Sequence, residues 1–356
     1  MVCGAGVIGA SVAYHLSLRG IAAVVVERET VAHGASGTAA GLLSPVAAGE
    51  ATTPLGKLLV RSAERHRELA EELSGTERYA FAEMGSEVVA MSAEEARLLT
   101  ELRGTAPEAV TEDGWVDGEV RGVVRVEGAA QLDPGAFTRT LLDAACERGA
   151  RLITGDVQGI RTEHGVVSGV QVSARMIETS RVIVATGPWS AEAEGWLRTP
   201  IPVWPLKGQI LKYRMPDAPA GAFSGLNGNY AAKKPGGIVY AGTTEEEAGF
   251  DLAPTPEARD AIVSWLSKVS SRFAEVEPFE QTACLRPLSD DGLPLIGKAP
   301  TFEGAYVATG HGRKGIMLSA ATGEAIAELI VTGKCTTVDP GPFAPGRFRG
   351  SPGRYV

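Results

Sequence analysis

The chain is poor in cysteine, histidine and aromatic residues. Of 356 residues, four are Cys, five are His, and Phe, Trp and Tyr together make up 6%. Cys3, Cys146, Cys284 and Cys335 lie far apart with no CxxC pair, which argues against a disulfide framework or a zinc site and for a reducing compartment. His15, His33, His66, His164 and His311 are equally scattered, so no metal cluster can be drawn from them. Basic residues are not in excess either: 34 Lys and Arg against 43 Asp and Glu give a net charge of −9. That removes the field that nucleic acid or an anionic membrane would require. No run approaches the length of a membrane span, and the apolar N-terminal stretch lacks the basic leader of a signal peptide. The expectation is a cytoplasmic protein of one large or two joined domains.

Glycine, by contrast, is placed with purpose. Gly4-Ala5-Gly6-Val7-Ile8-Gly9 is followed by a helix-like stretch to Gly20 and then by Ala22-Ala23-Val24-Val25-Val26-Glu27. The three glycines permit a tight turn, close approach of a pyrophosphate to the backbone, and packing of helix on strand. The helix N-terminus offers unpaired N–H groups to the diphosphate. Glu27, 18 residues past Gly9, has the spacing to meet a ribose hydroxyl. Only Met1, Val2 and Cys3 precede Gly4, against about five residues in a usual first strand, so either the sequence starts inside a longer strand or the strand is short; a weakly anchored central strand is expected.

Further along, His33 to Gly41 is rich in small residues, and its amides with the Ser36 or Thr38 hydroxyl could donate to phosphate. Leu55–Leu73 has the pattern of an amphipathic helix, and Asp133-Pro134 opens a second, with Phe137, Leu141, Leu142 and Ala145 inward and Gly149 at its end. Strand-like runs follow at Arg151–Thr154, Val166–Val172 and Arg181–Ala185. Alternating segments from Val203 to Gly242 predict a separate antiparallel sheet. A helix is expected from Thr255 with Ala261, Ile262, Trp265 and Phe273 inward. Ala305–Thr309, the turn Gly310–Gly315 and the helical run Ile316–Ile330 repeat the strand, glycine turn, helix order of the N-terminus. Beyond Lys334 the composition reads as irregular.

Four segments together resemble one family: GAGVIG with Glu27, GASGTAAGLLSP, VIVATGPWS at 182–190, and CLRPLSDDGLPLIG leading to ATGHGRKGIMLSAATGEAIAELI at 284–330. They resemble the FAD-dependent amine oxidases, which include D-amino acid oxidase, sarcosine oxidase and glycine oxidase, and are most similar to the glycine oxidase branch. The resemblance implies an α/β fold with an α+β second domain. A Rossmann-like FAD-binding domain would comprise 1–80, 130–200 and 284–340, an antiparallel-sheet substrate domain 81–129 and 201–283, and an irregular tail 341–356. It also implies oxidation of a small amino acid or amine to an imine, with oxygen or another acceptor taking the electrons from the flavin. Homo-oligomers are compatible with it. A dehydrogenase feeding a quinone or partner protein, and a flavin-bound subunit of a larger complex, are the competing readings.

The residues implied for FAD are Gly4, Gly6, Val7, Ile8, Gly9, Glu27, Arg28, Ser36, Thr38, Ala39, Ala40, Gly41, Val157, Gly187, Trp189, Gly312, Gly315, Ile316 and Met317, with no metal. From the residue alone Arg286 could equally be an ordinary ion-pair partner, but it matches the family's substrate-binding arginine, so the resemblance implies a carboxylate anchor, since a guanidinium can hold a carboxylate bidentately. Tyr230 matches a family tyrosine at the same carboxylate, with a packing role in the sheet as the alternative, and Arg313 could touch substrate, flavin or solvent. Cys284 stands where sarcosine oxidases carry a flavin-linked cysteine, but Leu285-Arg286-Pro287 follows the non-covalent branch. Lys207 reads as a solvated charge, or as a group near the oxygen-reacting face.

Overall fold

The computed structural model describes residues 1–44, 48–104, 107–108 and 115–348. Pro45 of the small-residue segment, parts of the expected 81–129 piece, and residues 349–356 of the tail lie outside them.

Six strands form one sheet in the order Leu295–Lys298, Ala305–Thr309, Val182–Val184, Val2–Cys3, Val24–Glu27, Arg151–Thr154. All neighbours are parallel except the first pair. The N-terminal strand has only two residues here and corrects the expectation of weak anchoring. It is paired on both sides, and Val2 and Cys3 are fully buried. Bonds from Gly4 N to Val26 O at 2.7 Å and from Ala185 N to Cys3 O at 2.9 Å extend the pairing. From this strand the chain builds outward through Val24–Glu27 to Arg151–Thr154 on one side and then crosses to Val182–Val184 on the other, and this reversal opens a crevice at the carboxyl ends of the strands.

One face of this sheet is covered by the helices Val7–Ser17, Pro54–Glu72, Pro134–Glu147 and Gly315–Thr332. Of the two with the strongest amphipathic pattern, Pro134–Glu147 starts at the expected Asp133 cap and Pro54–Glu72 starts one residue before the expected Leu55. Thr53 Oγ1 accepts from Gly56 N at 3.0 Å and Asp133 Oδ1 from Ala136 N at 2.7 Å, each ahead of a proline in the first turn. The first and last helices cross so closely that a Cβ on Gly323 would stand 2.2 Å from Ser11 Oγ. Gly312–Thr332 corrects the expectation that no run approaches a membrane span. It is long and apolar enough, and 72% of its most apolar window is buried inside the protein.

A second sheet of eight strands runs Glu280–Ser289, Val203–Arg214, Ile238–Gly242, Tyr230–Lys234, Ala222–Gly225, Ala82–Ala90, Gly122–Gln131, Leu42–Leu43. It is antiparallel apart from the pairing of Ala222–Gly225 with Ala82–Ala90. Glu280–Ser289 stays in this sheet past the expected join at residue 284. The helix Pro256–Val269 covers its far face, packing Trp265 against Phe223 and, through Phe223 and Phe273, onto Trp115. Ala261 is exposed in that helix, and Phe273 lies in a following 3-10 turn; Ala258 and Leu266 take the inward positions instead. A three-stranded meander, Val157–Glu163, Val166–Val172 and Arg175–Glu178, flanks the first sheet. The expected irregular tail is also corrected as far as Phe348: two 3-10 turns bury Phe343 and Phe348 in the core.

Candidate functional site

The crevice continues into a cavity of about 680 Å³ that runs between the two sheets. Its first part is built by the carboxyl ends of the parallel strands. Gly4 has φ 101°, a conformation open to glycine, and a Cβ there would lie 2.5 Å from Ala185 O. Gly9 does not line the cavity. Its Cβ would meet Gly4 O at 2.0 Å, so glycine at this position lets the helix close onto the turn. Gly6, Val7 and Ile8 line the wall. Glu27, at the tip of its strand, accepts from Ala5 N at 2.7 Å and from Glu29 N at 3.0 Å, so two amides fix its carboxylate at the crevice.

The small-residue segment folds as a short helix, Ala35–Thr38, against the glycine turn. Ser36 Oγ accepts from Val7 N at 2.9 Å and lines the cavity with Ala39, Ala40 and Gly41. Thr38 is not brought to the cavity. Its hydroxyl turns back to Gly34 O at 3.5 Å. Arg28 lies 4.6 Å over the Trp189 ring and 3.8 Å from Glu192, which with Val157 and Gly187 form the wall on that side.

The helix beginning at Gly315 points its N-terminus into the same cavity, with Gly312, Arg313, Gly315, Ile316 and Met317 in the lining. Neither this helix nor the first carries an acidic residue in its first turn or a capping side chain at its N-cap; Ser36 takes one amide of the first, Val7 N, and the remaining N-terminal amides can face an anion. His66, buried beneath, donates from Nε2 to Ile316 O at 3.0 Å and Met317 O at 3.2 Å, which fixes the start of the last helix.

The second sheet forms the opposite wall, and its register decides which residues face inward. Tyr230 is opposite both Gly242 and Ser224, Gly242 is opposite Ile210, and Gly208 is opposite Cys284. Pairing therefore puts Ser224, Tyr230, Ile210, Cys284 and Arg286 on one face, and all five line the cavity. Burial pushes the Tyr230 phenol well above its ordinary value. Arg286 donates from Nη1 to Thr244 O at 3.0 Å and from Nη2 to Thr243 Oγ1 at 2.5 Å, and makes no ion pair among the described residues. Arg313 is 3.2 Å from Glu245 and donates to Gly228 O at 2.6 Å. Burial, followed by the nearby Arg286 charge, lowers its affinity for its proton.

Sequence reasoning did not single out Thr243, Lys314 or Glu50, all of which line the cavity. Lys314 adjoins Arg313 in the same turn and pairs with Glu50 at 2.8 Å. Only the fold brings Glu50 and Thr243 there. Lys207 corrects the reading of a solvated charge: it is 1% exposed, does not line the cavity, and donates to Ala253 O at 2.6 Å.

A cavity that begins at the switch point of a parallel sheet and ends beneath a second sheet is the arrangement of a protein that binds a dinucleotide beside a smaller ligand. The chain belongs to the family of FAD dependent oxidoreductases, whose model matches residues 1–329. It is 28% identical to a glycine oxidase of Pseudomonas aeruginosa over 97% of this chain and 98% of the relative. It is 29% identical to the hydrogen cyanide synthase subunit HcnC of the same organism, over 99% of this chain and 96% of that one. The crystal structure of glycine oxidase from Geobacillus kaustophilus superposes with a TM-score of 0.87 at 26% identity, covering 97% of each chain. The residues present suit FAD. Glycine clears the backbone at Gly4, two helix N-termini without acidic residues in their first turns converge on one cavity, and Glu27 is fixed by amides at its edge.

Proposed function

We propose that the protein oxidises glycine or a similarly small amino acid to its imine, with non-covalently held FAD and oxygen as electron acceptor. The observation that carries this reading is the contrast between two guanidinium groups in one cavity. Arg313 has a carboxylate partner in Glu245, whereas Arg286 has only neutral oxygens. One positive charge is thus uncompensated, which matches a substrate with one carboxylate. Tyr230, a phenol that burial pushes further above its ordinary value, would donate to the same carboxylate.

The acids that line the cavity, Glu27, Glu29, Glu50, Asp156 and Glu192, come from other elements than the second sheet. No carboxylate of that sheet lines the cavity among the described residues, so the sheet wall holds no ammonium and the amine is read as bound neutral, as transfer of its Cα hydride requires. When bound, FAD accepts that hydride. The amides and helix start at Gly312–Met317 would stabilise negative charge at the end of the cavity they face. Gly4, Gly6, Val7, Ile8 and Ser36 would hold the diphosphate, and Glu27 the ribose.

Anaerobic mixing of the flavin-loaded protein with glycine, sarcosine and D-alanine should bleach the oxidised flavin spectrum, and admission of air should restore it with release of hydrogen peroxide. A spectrum unmoved by all three defeats the reading. A second reading, a flavin-bearing subunit that hands electrons to a partner, rests on the similarity to HcnC, a subunit by name. Bleaching without peroxide on reoxidation favours it. Protein that stays yellow in the pellet after acid precipitation would reveal a link through Cys284.

A further inference from the structure

Beneath Arg286 lies a buried polar network that the cofactor cavity does not use. The two acceptors that orient the guanidinium, Thr243 Oγ1 and Thr244 O, stand just beyond the strand Ile238–Gly242 and outside its ladder with Val203–Arg214. Glu246 holds that segment. Its Oε1 accepts from the Thr244 hydroxyl and from Gln209 Nε2 at 2.9 Å, and its main chain exchanges bonds of 2.9 and 3.0 Å with Lys207. Gln209, fully buried, also donates its own N–H to Thr244 Oγ1 at 3.1 Å. Gln209 Oε1 in turn accepts from Thr255 N at 3.0 Å and from Gln281 Nε2 at 2.8 Å.

Every polar group named here has a partner, and a satisfied buried network of this kind rigidifies what it holds. Glu246 itself does not line the cavity. We infer that Glu246 is a positioning residue for substrate binding: by clamping Thr244 it fixes the two oxygens that aim the Arg286 guanidinium into the cavity. The inference rests on the reading of Arg286 as carboxylate anchor. The competing role for Glu246 is that of counter-charge to Lys207, whose Nζ lies 3.9 Å from Oε2. The two roles use different oxygens, since the Thr244 hydroxyl bonds Oε1.

The test uses the flavin-loaded protein with acetate as probe, its dissociation constant read from the perturbation of flavin absorbance, alongside KM and kcat with the substrate that bleaches the flavin. Glu246→Ala should raise the acetate Kd and the KM about tenfold or more while kcat at saturation stays within about threefold. Glu246→Gln keeps an Oε1 acceptor and should return both constants to within about threefold of the parent. If the Ala variant does not fold, Thr244→Val, which removes the clamped hydroxyl and keeps the carbonyl, should show the same rise. A flavin-replete Glu246→Ala or Thr244→Val protein that binds acetate as the parent does overturns the inference. So does a Gln variant as impaired as the Ala variant, which would assign the effect to charge. Arg286→Ala run in parallel separates the two levels. If it too binds acetate normally, the anchor reading itself has failed; if it alone loses acetate, only the positioning role has.

Discussion

The guanidinium of Arg286 lies flat over Gly208 of the neighbouring strand: a Cβ on Gly208 would stand 2.0 Å from Nη2, and its three nearest atoms would all belong to that guanidinium. The nearest obstacle to a methyl group is thus the far end of a flexible side chain, which can move aside. Gly208→Ala should therefore fold and take up full FAD, yet displace Arg286 from Thr243 and Thr244. We expect KM for the amino acid to rise roughly 10- to 150-fold, the equivalent of about 1.5–3 kcal/mol for hydrogen bonds to a charged group, with a smaller effect on kcat. Steady-state kinetics with flavin quantification checks this, and an unchanged KM contradicts it.

Gly9→Ala should fail earlier. Here the obstacle is the carbonyl of Gly4, 2.0 Å from the added Cβ, and backbone cannot swing aside as a side chain can. The helix must lift off the glycine turn that carries Ala5 and Val7. Purified variant protein is expected to lack the flavin absorbance and to recover little of it with added FAD. Normal flavin content would show that the turn tolerates the shift.

Arg65 ties the first helix to the second. It is 5% exposed, donates to His15 Nε2 at 3.2 Å and to both oxygens of Glu72 at 2.6 and 2.9 Å. Arg65→Ala leaves His15 without that donor inside the core, whereas Glu72 keeps access to water. A loss of about 2–3 kcal/mol in unfolding free energy is expected, below the full cost of breaking a buried pair because Glu72 is half exposed. Denaturant midpoints at fixed FAD concentration measure it.

Stability should fall on the acid side through buried histidines. Burial pulls His66 down to about 4 and His15 and His311 to about 3. In the unfolded chain the same rings titrate near their ordinary value of about 6.5. Between about 6.5 and about 4 the unfolded state binds protons that the folded state refuses. The stabilisation is complete above that window and is lost as pH falls through it, by up to about 1.4 kcal/mol per pH unit for each ring. The unfolding midpoint should decline below about pH 6.5. His66→Gln, which keeps a donor toward Ile316 O, should make the decline shallower; an identical slope would argue against a buried neutral ring.

Much of the first half of the site was legible because its logic is local. Glycine turn, helix, strand and Glu27 fall within 27 residues, and each step obeys a rule of backbone sterics or period that the sequence displays. The helix beginning at Gly315 was legible for the same reason. Thr38 was misjudged because a hydroxyl's direction depends on the turn of a four-residue helix, which composition does not reveal. Lys207 was misjudged because its cover, the segment around Asp251 and Ala253, is more than 40 residues away along the chain.

The sequence by itself determined the kind of ligand and the side of the sheet it uses, since a strand, a glycine turn and a helix start specify an anion site wherever they occur. Tertiary structure alone decided what Arg286 can do. Its neighbours Gly208, Thr243 and Thr244 come from strands and turns 42 to 78 residues distant, brought together by a register that no local pattern encodes. Whether that guanidinium meets a carboxylate of the protein or is left to bind one from solution is a property of the pairing, because charge compensation depends on distance in space.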